Sequence, residues 1–246
     1  MQITNAWHLL PIPRAKILLI LFSGILWTTT LQAQQFRGNY NFLEFQQKPY
    51  YFGITLGYNT STFRPFQSRD FLRSDSIQVV EGLSGPGFNL GIVTNLKIGD
   101  YFDFRFLPTL SFAERELEYD RRTALRPSTR TVSSVFVELP FHLRYKSAPF
   151  QDKRVFVIAG LKYGFDVASD SRSKQAESLV KISPNDFSVE YGAGVQFFFP
   201  FFIFSPEFKV SHGIGNTLIF NNNLEESTVL EKVLSRTFTI SLHFEG

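Results

Sequence analysis

The chain has 246 residues, no cysteine and a formal charge of +3, which excludes a disulfide framework and thiolate metal sites. Phe occurs 29 times and aromatics make up 16%, yet mean hydropathy is only -0.04. Apolar side chains are therefore interleaved with polar ones, a mixture that suits strands better than membrane-spanning helices.

At the N-terminus, Arg14 and Lys16 precede the apolar run Ile17 to Trp27, which TTTLQA follows. These are the basic, apolar and small-residue regions of a secretory signal peptide, so residues 1–33 are expected to be removed after Ala33. The run is shorter than the roughly 20 residues of a spanning helix. Removal takes away Arg14 and Lys16 and no acid, lowering the formal charge to +1, so the basic pI of 9.1 implies no nucleic-acid partner. Residues 34–48 then form a periplasmic N-terminal segment that fills the base of the following domain or binds another protein. No later window approaches a spanning helix, so the exported chain reaches a membrane by strands or not at all.

Period-two alternation defines eight strands in residues 49–246. In the first, Tyr50, Phe52, Ile54, Leu56 and Tyr58 alternate with Tyr51, Gly53, Thr55 and Gly57. The second runs from Phe88 to Ile98 and meets a tight turn at Gly99 and Asp100; the third runs from Phe102 to Phe112. The fourth contains VSSVFVELPFHLRYK, where Pro140 predicts a bulge or broken pairing. Val155–Phe165, Phe187–Phe199, Phe202–Val210 and Thr237–Phe244 complete the set. Connections alternate in length: long at 59–85, 114–130, 167–185 and 213–235, and short or moderate at Gly99, 146–154 and 200–201. That rhythm predicts an all-β, eight-stranded antiparallel up-and-down transmembrane barrel with long extracellular loops and short periplasmic turns. Strands of roughly 9 to 11 residues suit a tilted bilayer crossing. Tyr50, Tyr58, Tyr145 and Tyr163 fall near strand ends, where aromatic girdles form.

The rival is a secreted barrel with the apolar face inward. An eight-stranded interior holds little beyond its own side chains, and ten Phe with their aliphatic neighbours would overfill it. The glycine-rich charged face is therefore placed inside and the phenylalanines in lipid. That lumen would hold Asp103, Arg105, Glu138, Arg144, Lys162, Glu190, Glu207 and Lys209, together with Lys97 and Asp166, five bases facing five acids. Opposite charges that hydrogen-bond offset one another's desolvation, which predicts a self-neutralising structural plug rather than a channel. Glu138 is expected to pair with Lys162.

His142 and His243 are expected at the periplasmic rim, far apart around the barrel, and His212 near the long-loop end. None has the nucleophile and base beside it that catalysis needs. No catalytic, metal or cofactor set is predicted, and no small-molecule substrate. The arginines of RDFLRSDS (69–76) and ERELEYDRRTALRPSTR (114–130) are candidates for lipopolysaccharide phosphates. Asn223 and Glu226 have capping-box spacing ahead of Leu230, Val233 and Leu234, predicting a short amphipathic helix over 223–235.

PYYFGITLGYN, FLRSDSI, GPGFNLGIV, GDYFDFRFLPTLSFAERELEY, ELPFHLRYK and YGAGVQFFF resemble the PorT family of Bacteroidota outer-membrane proteins. The likeness runs from about Lys48 to the C-terminus. It implies an outer-membrane barrel needed for type IX protein secretion, often linked to gliding motility, with other secretion components and outer-membrane lipid as partners and no catalytic residues. A different reading of the same barrel is a small envelope enzyme or lipid-binding protein.

Overall fold

A sheet with one oily and one charged face suits a membrane only if it closes on itself, because an open edge leaves backbone groups unsatisfied in lipid. The computed structural model describes residues 40–68, 71, 77–121, 128–167, 181–221 and 225–246, and its main sheet is closed. In chain order the elements are α1 (Tyr40–Gln47), β1 (Tyr50–Gln67), β2 (Ile77–Lys97), β3 (Phe102–Phe106), β4 (Thr109–Arg121), β5 (Ser128–Lys146) and β6 (Lys153–Asp166). Then come β7 (Lys181–Ile182), β8 (Asn185–Phe198), β9 (Ile203–Gly213), β10 (Leu218–Ile219), α2 (Glu225–Thr228) and β11 (Leu230–Glu245). Among the described residues no helix is long and apolar enough to cross a membrane.

Each wall strand pairs antiparallel with its sequence neighbour, and β1 pairs with both β2 and β11, which closes the ring. β3 and β4 are successive halves of one wall strand, since β2 and β5 flank both, and the described wall therefore has eight strands. β7 and β10 pair only with each other, outside the wall. The start of β1 lies beside the finish of β11, with Gly53 opposite Glu245. The connections 98–101, 147–152 and 199–202 gather at that end. In the first, Gly99 takes a positive φ of 88° and the Ile98 N–H reaches the Phe102 carbonyl at 2.8 Å. A side chain at Gly99 would be strained there.

Phe52, Ile54, Leu56, Phe88, Leu90, Phe141, Leu143 and Ile240 are exposed on the outer wall, while Asp103, Arg105, His142, Arg144 and Glu190 are almost wholly enclosed. The four girdle tyrosines also project outward. The strands, however, are longer than alternation predicts: β1 has 18 residues, β2 21 and β5 19. Residues 59–67 and 77–85, expected in a long loop, continue β1 and β2 past the oily girdle. Much of 114–130 likewise belongs to β4 and β5.

The extension has its own logic. On leaving lipid the outward face meets water, and the apolar set moves inside: outward Tyr58 gives way to inward Phe63 in β1, and outward Leu110 to inward Leu117 and Tyr119 in β4. These side chains join Val80, Leu218, Val229, Leu230 and Val233 in an apolar cluster. This also corrects the helix expected over 223–235. Asn223 lies outside the described residues, α2 has four residues, and Leu230 and Val233 sit inside the wall on β11. The pull of the apolar cluster on those two side chains favours a strand.

Pro140 produces no bulge against β6: its register opposite Lys162 is continuous. The interruption falls on the other side, at Leu107 and Pro108 between β3 and β4, and without a register shift, because Phe106 faces Phe141 and Thr109 faces Glu138. The Leu107 N–H donates to the Pro140 carbonyl at 3.2 Å and the Ile92 N–H to the Pro108 carbonyl at 3.0 Å. Neither proline has an N–H to return the bond, so two neighbouring ladder positions each lose one donor.

Candidate functional site

The lumen is the part of the molecule where chemistry gathers, and it is filled in three layers. At the short-turn end, α1 tucks Phe42 and Phe45 against Tyr51, Phe198 and Ile203. The helix is tied down by polar contacts at both ends. Asp152 accepts the Phe42 N–H at 3.2 Å, and Asn41 donates to the Phe198 carbonyl at 3.3 Å. Lys97 Nζ donates to the carbonyls of Phe45 at 2.5 Å and Gln46 at 2.9 Å, satisfying groups that a helix C-terminus leaves open. Lys97 thus serves the helix and is no member of the central charge cluster, contrary to the expectation from alternation.

The middle layer is ionic. Alternation turns Asp103, Arg105, Glu138, Arg144, Lys162, Glu190, Glu207 and Lys209 inward, and all eight are enclosed. Arg144 donates to Asp103 Oδ2 through Nε at 3.0 Å and Nη2 at 2.6 Å, and to Asn95 Oδ1 at 2.9 Å. It also contacts the Tyr51 hydroxyl, and Lys146 pairs with Asp103 Oδ1. Arg105 spans two carboxylates, Glu207 at 2.7 Å and Glu245 at 2.8 Å, and Arg144 lies 3.7 Å from Glu245, which joins the two arginine centres. Around Glu190 gather His142 at 2.6 Å, Lys162 at 3.5 Å, Lys209 at 3.9 Å and the Ser211 hydroxyl. Lys162 reaches back to Glu138 at 2.8 Å.

Of the ten side chains that alternation assigns to the set, Lys97 leaves it. Asp166 lies apart, accepting the Val135 N–H at 3.3 Å. In their place stand Lys146 and Glu245, the next residues in phase after Arg144 and His243. Hydrogen-bonded charge pairs of this kind offset the desolvation each ion suffers in a closed interior.

The histidines are displaced from the rim position expected of them. His142 and His243 are both wholly enclosed. They attend different carboxylates: His142 contacts Glu190 at 2.6 Å, while His243 approaches Glu207, which Arg105 also holds, to 3.5 Å. His212 projects outward and shares a 2.9 Å hydrogen bond with the Tyr191 hydroxyl. The Ser211, Glu190 and His142 sequence of contacts puts the carboxylate between hydroxyl and imidazole, so the imidazole has no path to the hydroxyl proton. Among the described residues no group of three or more His, Asp or Glu is placed to hold a metal ion.

The third layer is the apolar cluster beyond the girdle, where Arg115 lies inward over Phe136 at 4.8 Å and Phe63 at 5.2 Å. Arg115 is therefore not a loop residue facing lipopolysaccharide. The other arginines of 69–76, and those at 122, 126 and beside the 122–127 turn, fall outside the described residues or have undescribed side chains, as does the signal segment 1–33.

A ring of eight antiparallel strands, oily outside and charged within, with short turns at one end, defines an integral outer-membrane β-barrel protein. The chain belongs to the outer membrane protein beta-barrel domain family, whose model matches residues 32–218. No curated protein matches the sequence. Among solved structures, the chain is similar to the outer membrane protein OprG from Pseudomonas aeruginosa, at 11% identity and TM-score 0.48, over 81% of this chain and 97% of that one. Neisserial surface protein A matches at 11% identity and TM-score 0.42, over 78% and 96%. The attachment invasion locus protein Ail of Yersinia pestis matches at 14% identity and TM-score 0.36, over 81% and 100%.

Proposed function

We propose that this outer-membrane barrel is a closed anchor that serves type IX protein secretion, and with it gliding motility, through protein contacts made at its two ends. The observation that carries the closed-anchor reading is the Arg105 bridge between Glu207 and Glu245, at 2.7 and 2.8 Å, set between α1 below and the apolar cluster above. Side chains that meet across an eight-stranded lumen leave solute no path. The secretion role rests on the resemblance of PYYFGITLGYN, GPGFNLGIV, ELPFHLRYK and their companion stretches to the PorT family. Other secretion components are the partners this reading implies, and neither catalysis nor a small-molecule substrate is part of it.

The test is deletion of the gene in its native host, with export measured for cargo carrying C-terminal sorting signals. Loss of export, restored by the wild-type gene, is the expected result. Unchanged export would remove the secretion role and leave the barrel fold intact.

A further inference from the structure

The outer wall is apolar up to the girdle's upper edge, and above that edge its charge differs around the circumference. On β4 and β2 the outward positions are acidic, Glu114 and Glu116 on the first and Glu81 on the second. On β1 and β11 the outward charges along the regular register are basic, Arg64, Lys232 and Arg236, with exposed Glu231 at the register irregularity beyond Lys232. Arg236 stands two residues above the girdle residue Phe238 and faces Thr62; Arg64 faces Leu234; Lys232 faces Phe66. The three cations thus alternate between two adjacent strands in one stripe, about 13 Å long at roughly 3.4 Å per residue.

Like charges at neighbouring cross-strand positions repel and destabilise a sheet. Here, among the described residues, no carboxylate pairs with any of the three. Only aromatic faces support them. Arg64 Cζ is 5.3 Å and Lys232 Nζ 4.5 Å from the centre of the same Phe66 ring, and Arg236 Cζ is 4.6 Å from that of Phe238. Arg236 Nε is buried without a hydrogen-bond acceptor. A guanidinium held over a ring, with no carboxylate on it and with cationic neighbours, is suited to a phosphate.

We propose that Arg236, Arg64 and Lys232 form a binding site for a phosphorylated lipid headgroup of the outer leaflet, one carrying more than one phosphate, whose acyl chains lie along Phe238 and Ile240. The height of the stripe supports a lipid rather than a soluble anion. It begins one outward position above the girdle, at the long-loop end, where headgroups lie. Its length supports several phosphates, since a single one would meet only one end of it. The site is independent of the proposed role in secretion.

The experiment uses the mature barrel in phosphatidylcholine nanodiscs. Native mass spectrometry measures retention of diphosphorylated lipid A, of lipid A with both phosphates removed, and of diphosphorylated lipid A against soluble tripolyphosphate. Heat-modifiable mobility reports folding. Wild type is expected to bind the diphosphorylated lipid at least tenfold more tightly than the dephosphorylated one. R64A/K232A/R236A should erase that preference, and R64K/R236K should keep most of it. Should the triple replacement fail to fold, R236Q alone must weaken binding threefold or more. Equal binding of the two lipids, or full preference in the folded variants lacking the cations, would overturn the site. Displacement by tripolyphosphate at equimolar concentration would overturn the lipid as its occupant.

Discussion

Thr109 donates its hydroxyl to the Leu107 carbonyl at 2.6 Å, filling the place left by the N–H that Pro140 lacks. The Thr side chain bends back along its own strand because the partner strand offers nothing. Leu107 is almost wholly buried, so an unmet carbonyl there would cost about 1–3 kcal/mol. Thr109→Val should destabilise the barrel by that amount, read as a lower urea midpoint in lipid vesicles by circular dichroism. In a Pro140→Ala background the restored N–H can reach Leu107, and the same replacement should then cost less than about 1 kcal/mol. Equal costs in the two backgrounds would show that the hydroxyl does not stand in for the missing donor.

Arg105 bears on two carboxylates that are otherwise poorly served. Without it, Glu207 keeps only His243 at 3.5 Å and Glu245 only Arg144 at 3.7 Å. Removing one partner from a buried ion pair strands its charge, at a cost on the order of 3–5 kcal/mol. Arg105→Met should therefore produce a large fall in the urea midpoint, and adding Glu207→Gln and Glu245→Gln should recover much of it. A single replacement within about 0.5 kcal/mol of wild type, the range of an ordinary surface substitution, would contradict a lumen held by these pairs.

The eight strands and their sidedness were legible because lipid imposes a simple rule: within the girdle outward residues are apolar with few exceptions such as Thr94, and period two carries the signal. Phe52 to Tyr58 and Phe141 to Tyr145 follow it without exception. Strand length was not legible by that rule, since beyond the girdle the rule reverses. Phe63, Leu117, Tyr119 and Val233 are out of phase with the oily face, and a search for one continuous apolar face stops just before them. The shift in phase was nevertheless present in the sequence.

The central ion set was legible for the same reason as the strands. Glu138 faces inward by parity, and Lys162 Nζ lies 2.8 Å from it. The errors come from strand ends, where parity ceases to fix a partner. Lys97 follows its strand's parity yet turns to the carbonyls of α1, a helix whose position against the barrel no local pattern reveals. Lys146 and Glu245 continue the parity of Arg144 and His243, but at the edge of a strand nothing in the sequence says how far the lumen extends. The rim position expected for His142 and His243 fails for the same reason.

Lys97 gives α1 most of its C-terminal restraint. Its ammonium meets two carbonyls of the last turn, and an eight-residue helix has little stability of its own. Lys97→Met should loosen the helix by about 1.5–3 kcal/mol while leaving the wall strands intact, since hydrogen bonds to charged groups contribute on that scale. Limited proteolysis of vesicle-reconstituted protein should then cut within residues 40–47 several times faster than in wild type, with unchanged heat-modifiable mobility. Cleavage at the wild-type rate would show that Phe42 and Phe45 alone hold the helix.

Three layers in series block the lumen, so loss of one should not open it. Replacing Phe42 and Phe45 with Ala removes the aromatic contact of α1 with Phe198 and Ile203, but the Arg105–Glu207 and Arg105–Glu245 pairs still cross the interior behind it. In planar bilayers the wild-type barrel and the Phe42→Ala, Phe45→Ala variant should both show no sustained single-channel steps. Opening requires a lesion in the middle layer as well: adding Arg105→Ala, Glu207→Ala and Glu245→Ala to the helix variant removes opposed side chains without leaving a stranded charge among those three, and small steps should appear if that protein folds. Steps of constant size in the wild type would contradict the closed lumen. Steps in the helix variant alone would instead make α1 the closing element and the ionic layer permeable.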